Sequence, residues 1–161
     1  MNPSYFRIKL NMDEAVKRLC AWTGSDYKEK IDTNYSKAVD VSLNENGQWK
    51  GACLYVYEND DWTVFEDLSG GYCFIEAKEW LKFAKNDEFV LAGYNDAIIC
   101  AEMIVISNGV VTKNFIESDD IPEDNINEGD GVEDIEDWTD VASFVDDDEF
   151  VYSDEGTVFI F

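Results

Sequence analysis

Residues 54–68 read Leu54-Tyr55-Val56-Tyr57-Glu58-Asn59-Asp60-Asp61-Trp62-Thr63-Val64-Phe65-Glu66-Asp67-Leu68. Two runs rich in β-branched and aromatic residues flank four polar residues suited to a reversing turn. Strands joined by so short a turn run antiparallel. Upstream, residues 38–43 read as a strand that passes through Asn46-Gly47 into another at 49–57. Asn-Gly supplies the positive φ angles of a tight hairpin. Downstream, Ser69-Gly70-Gly71 interrupts the sheet. Residues 76–85 then read as a helix, with Ala77, Trp80, Leu81 and Ala84 on one stripe and Lys78, Lys82 and Lys85 on the other. Strands at 89–94, 97–107 and 110–116 follow, the last two joined by Asn108-Gly109.

The ends extend the same pattern. Residues 4–10 alternate polar and apolar, as a strand does. Asn11 caps a helix starting near Met12, with Asp13 and Glu14 in its first turn and Gly24 as its stop. Residues 24–37 are polar and read as a loop or weakly held helix. Residues 135–144 read as the last helix, and 150–152 with 157–161 as a closing hairpin around Asp154-Glu155-Gly156. Trp80 and Trp138 each lead through a helical stretch to Asp-Glu-Phe-Val, so a helix-then-hairpin unit recurs. The expectation is one α+β domain over residues 1–161: an antiparallel meander sheet with two or three helices packed on one face.

The residues the chain lacks narrow its chemistry. It has no histidine, which removes the Ser-His-Asp and Cys-His mechanisms and imidazole-ligated zinc. Cys20, Cys53, Cys73 and Cys100 form no CxxC pair and sit among apolar neighbours, so they read as reduced, mostly buried thiols. Gly70-Gly71 lacks the lysine and spacing of a phosphate loop. No signal peptide or membrane span is read, and the expected location is the cytoplasm. No cofactor is called for.

Charge is the most informative feature. The chain carries 36 acidic and 12 basic side chains, a net charge of -24. Half of the acids, 18, lie after residue 116, where no basic residue remains, and Lys113 is the last cation. Asp119, Asp120, Glu123, Asp124, Glu128, Asp130, Glu133, Asp134, Glu136 and Asp137 crowd into one stretch, and residues 117–134 are expected to form an acidic loop. Such a field repels nucleic acid and anionic membranes. It exceeds the net charge of roughly 2–8 that solubility asks of a small domain, and it suits a cationic protein partner. Core packing is the default reading of the aromatic hairpin, and through Tyr55, Tyr57 and Trp62 it is the candidate anchor if one of its faces is exposed. Calcium is the rival ligand. An EF-hand with Gly129 at its sixth position would start at Asp124 and put Ile126 and Ile135 where ligands belong, so that motif fails. Glu66, Asp67 and Glu76, flanking the glycine pair, are the best-placed carboxylates for acid–base chemistry, although a solvated turn carboxylate is the commoner case.

Residues 54–71, Gly93-Tyr94-Asn95-Asp96 and residues 137–144 together resemble a family of small acidic bacterial immunity proteins. These neutralise toxins of polymorphic or contact-dependent systems. The resemblance implies a non-enzymatic cytoplasmic protein, monomeric or weakly dimeric, that covers the basic active site of a toxin domain, often a nuclease. The alternative is a carboxylate-dependent hydrolase or a divalent-cation-binding protein.

Overall fold

The computed structural model describes residues 3–132, 134–150 and 153–161. In chain order the elements are β1 (Ser4–Ile8), α1 (Met12–Thr23), β2 (Glu29–Asn34), α2 (Tyr35–Ser42), β3 (Cys53–Asn59), β4 (Trp62–Asp67) and α3 (Ala77–Ala84). There follow β5 (Phe89–Asn95), β6 (Cys100–Ser107), β7 (Val110–Ser118), a 3₁₀ turn (Pro122–Asp124), β8 (Ile126–Glu128), α4 (Trp138–Phe144), a π-helical turn (Val145–Glu149) and β9 (Glu155–Ile160). The class is α+β, built on one antiparallel sheet in the order β2-β9-β3-β4-β1-β5-β6-β7-β8.

The sheet is a meander only in part. β5 to β8 follow one another, and β3 and β4 form a hairpin, but β1 lies between β4 and β5. Phe6 faces Phe65 on one side and Leu91 on the other. β9 likewise enters between β2 and β3. The expected pairing of residues 150–152 with 157–161 is not seen: Phe150 lies outside any strand, residues 151–152 lie outside the described residues, and β9 pairs elsewhere.

Four helices cover both faces, where two or three on one face were expected. α1 and α3 lie over Phe6, Ile8, Leu54, Phe65, Phe89 and Ile104. α2 and α4 lie over Tyr55, Tyr57, Val64, Met103, Phe115 and Val158. The cause is visible in β3, where Cys53, Leu54, Tyr55, Val56 and Tyr57 are all buried. A strand apolar at every position has two faces to cover.

Two local readings change. Residues 38–43 form most of α2 rather than a strand, because Ala38 and Ser42, four apart, are the buried pair and the Ser42 hydroxyl donates to the Ala38 carbonyl at 2.7 Å. The Asn46-Gly47 turn therefore links a helix to β3, closed by a single bridge between Leu43 and Trp49. Residues 29–34 are a strand rather than a loop. They are polar because β2 is a sheet edge, with only Ile31 and Thr33 half-buried. Elsewhere local chemistry holds. Asn11 accepts from the Glu14 amide at 3.0 Å, and Gly24 closes α1 in the left-handed region. Asn108 and Gly109 both take positive φ, as their hairpin turn requires.

The 117–134 stretch is more ordered than an acidic loop. β7 runs through Ser118, the 3₁₀ turn follows, and β8 pairs back on β7. Lys113, buried in β7, stitches it together by donating to Asn127 Oδ1 at 2.9 Å and to the Gly129 carbonyl at 3.2 Å. Gly129 has φ +81°, and a Cβ there would come within 2.2 Å of the Thr112 carbonyl oxygen, so glycine is required.

The aromatic cluster around Phe6 sits at the middle of the sheet, stacked on Phe65 at 4.6 Å and against Trp80 at 5.0 Å. Phe6→Ala is expected to cost about 3–5 kcal/mol of stability, read as a lowered urea midpoint with an unchanged slope. A loss below 1 kcal/mol would contradict this placement.

Candidate functional site

A groove opens at the far end of the sheet, on the α1/α3 face, where three loops converge. Its floor is Cys100 on β6, Ile116 on β7 and Ile126 on β8. Its walls are Phe74, from the loop after β4, Ile98, from the β5–β6 turn, and Ile121, before the 3₁₀ turn. The volume is about 860 Å³. Phe74, Ile98 and Ile121 are 48%, 54% and 48% exposed, among the most exposed large apolar side chains described. The charged groups lining the groove are Glu76, Asp120, Glu123 and Asp124, all carboxylates.

Two buried carboxylates hold the Phe74 wall from beneath. Asp67, at the end of β4, accepts the amides of Ser69, Gly71 and Tyr72 at 3.2, 3.2 and 2.7 Å. Glu102, in the middle of β6, accepts the Phe74 amide at 2.9 Å. This tether fixes Phe74 in the left-handed region, at φ 57°. Glu102 is fully buried, and its Oε1 has no hydrogen-bond partner among the described residues. Burial raises its pKa from the ordinary 4.5 to about 8, against the opposing effect of the Phe74 amide. Cys73 and Cys100 lie in the same neighbourhood, and burial pushes both thiols up, with Glu102 adding to the effect.

Comparison of the chain with protein-family models, with curated proteins and with solved structures finds no match. The site therefore stands on its own geometry.

The sequence-predicted acids are brought together at the β7–β8 edge. Asp119, Asp120, Glu123, Asp124, Glu128, Asp130, Asp134, Glu136 and Asp137 are all exposed there, and Glu133 lies outside the described residues. They wrap round that edge. Asp120, Glu123 and Asp124 line the groove, while Asp130, Asp134 and Glu136 line a shallow depression beside Lys113 and Ile135. Asp137 has a second task as the N-cap of α4, in a reciprocal capping box with Asp140. The hydroxyl and amide of Thr139 hold its carboxyl below the usual range. Among the described residues no group of three or more Cys, Asp or Glu is placed to hold a metal ion.

The aromatic residues expected at a partner surface are not available to one. Tyr55 and Tyr57 are 0% and 1% exposed, because the α2/α4 layer covers their face. Trp62 is half-buried, with the Arg7 guanidinium 4.6 Å from its ring centre. The exposed large apolar side chains of the groove are Phe74, Ile98 and Ile121. Their sequence signal was faint: single apolar residues in polar turns.

The flanking carboxylates separate as well. Glu66 and Asp67 point to opposite faces, and Glu76 is exposed and paired with Lys78. Glu66 sits in register between Tyr5 on β1 and Tyr55 on β3, and the Tyr35 hydroxyl donates to its Oε1 at 3.5 Å. Burial raises its pKa to about 7, opposed by that hydrogen bond.

Glu66 and Glu102 both titrate higher folded than unfolded, so the folded state holds their protons more tightly. The stability this gives is fully present below the ordinary carboxylate pKa and is lost as pH rises through about 7 and 8. Glu102→Gln, which stays neutral, should match the wild type near pH 5 and exceed it in unfolding free energy near pH 9. Parallel pH–stability curves for the two proteins would show that Glu102 does not titrate in this way.

Proposed function

We propose that the chain is an immunity-type inhibitor, acting in the cytoplasm without catalysis, whose acidic β7–β8 edge binds and neutralises a cationic toxin domain, of the nuclease type that the sequence resemblance implies. The observation that carries this reading is that Asp120, Glu123 and Asp124 line an apolar groove at the β7–β8 edge whose lining, among the described residues, contains no lysine or arginine, while Asp130, Asp134 and Glu136 line a depression near the same edge. A one-signed field of this kind speeds encounter with an opposite charge. The last cation of the sequence, Lys113, is buried and does not dilute it.

The hydrolase or cation-binding reading has one observation in its favour, the raised pKa values of Glu66 and Glu102. Their setting opposes it. Glu66 lies between phenols on one face, and Glu102 lies under the Phe74 loop on the other. Asp67, on the Glu102 side, spends its oxygens on backbone amides. A general acid–base pair needs two carboxyl groups roughly 5–10 Å apart across a substrate. A carboxyl that keeps its proton is also a poor ligand for a cation.

The test is co-expression with a basic toxin domain encoded beside the gene. The chain should restore growth and form a stoichiometric complex with that domain. The combined variant Asp119→Lys, Asp120→Lys, Glu123→Lys, Asp124→Lys should slow association by roughly 10-fold or more in low salt, and much less near 0.5 M salt. Unchanged association at low salt would overturn this assignment of residues, and continued toxicity with the wild-type chain would overturn the function.

A further inference from the structure

We propose that the groove seats a large apolar side chain flanked by lysine or arginine on the partner, and so converts an electrostatic encounter into a fixed complex. This rests on the cationic-partner reading and adds its anchor.

Three features of the groove bear on what it holds. An exposed apolar patch rimmed by polar groups is the usual mark of a protein-binding surface, and here Phe74, Ile98 and Ile121 supply it from three separate loops. The volume of about 860 Å³ has room for one or two large side chains. The Phe74 wall is held in place before any partner arrives. Its amide is tethered to buried Glu102, and the preceding loop hangs from Asp67. A wall set in advance spares the ordering cost that weakens flexible sites.

The rim selects among occupants. Asp120, Glu123 and Asp124 stand at the opening, and Glu76, paired with Lys78, stands beside them. A second copy of this chain would bring its own net charge of -24 to that rim, and like charges at short range oppose docking. Nucleic acid is disfavoured on the same ground. A neutral lipid chain would gain nothing from the carboxylates of Asp120, Glu123 and Asp124. Leucine, phenylalanine or tryptophan between basic residues satisfies both floor and rim, in the pattern of a buried anchor with a charged surround.

The test uses two fluorescein-labelled peptides of equal charge, Lys-Lys-Leu-Trp-Leu-Lys-Lys and Lys-Lys-Ser-Gln-Ser-Lys-Lys, titrated with the full chain. The apolar peptide should bind about tenfold more tightly and shift the backbone amide resonances of Phe74, Ile98 and Ile121. The double variant Ile98→Ser, Ile121→Ser changes two exposed loop residues and keeps every carboxylate. It should abolish the difference while leaving the polar peptide's affinity unchanged. Equal affinity of the wild type for both peptides would overturn the anchor and leave the charge reading standing. Binding of neither peptide at low salt would overturn both. Self-association of the wild type that disappears in the double variant would assign the groove to a second copy and overturn the proposal.

Discussion

The sheet depends on the pairing of β1 between β4 and β5. Without it the β3–β4 hairpin and the β5–β8 meander are separate units, each with an open edge. Phe6 joins them, stacked on Phe65 from the first unit and within 6.3 Å of Phe89 from the second. Trp80 on α3 closes the cluster from above. β9 does the same at the other end, bringing β2 onto β3. The strands from both ends of the sequence are thus interior or near-interior to the sheet, and the contacts that complete it are long-range. Such topologies fold slowly, because loop closure costs entropy before pairing repays it.

That order of strands also decides where the charge goes. β8 is the last strand of the meander, so the segments on either side of it, which hold most of the clustered carboxylates, fall at a sheet edge and away from the core. Self-repulsion is least damaging there, and a charged edge resists pairing with another chain. Lys113, the last cation of the sequence, works inward, bonded to Asn127 and the Gly129 carbonyl.

Much of this was legible in the sequence wherever the signal was local. The apolar runs and turn residues of β3 to β7 marked an antiparallel sheet, and Asn11 and Gly24 marked the limits of α1. The edge strand β2 was hidden by its polarity, since Glu29–Asn34 needs β9 beside it to become a strand. α2 was hidden because Val39, Val41 and Leu43 alternate with the polar Asp40 and Ser42, as in a half-buried strand. The double-sided core went unread because Tyr55 and Tyr57 were judged by period alone, whereas the length of the unbroken apolar run in β3 was the better guide. At the site, the acids were legible because charge is a matter of composition. Phe74, Ile98 and Ile121 were not, since three lone residues in three turns become neighbours only through the order of strands.

The Phe74 loop hangs from the sheet by backbone amides, at Ser69, Gly71, Tyr72 and Phe74 itself, and the groups that grip them, Asp67 and Glu102, are out of reach of any visitor. Posture and side-chain identity at position 74 are therefore independent. The grip asks nothing of the phenyl ring, so another residue that is neither β-branched nor proline can stand there at a similar backbone cost, with glycine the least strained. A loop built like this can exchange its tip while the frame stays as it is.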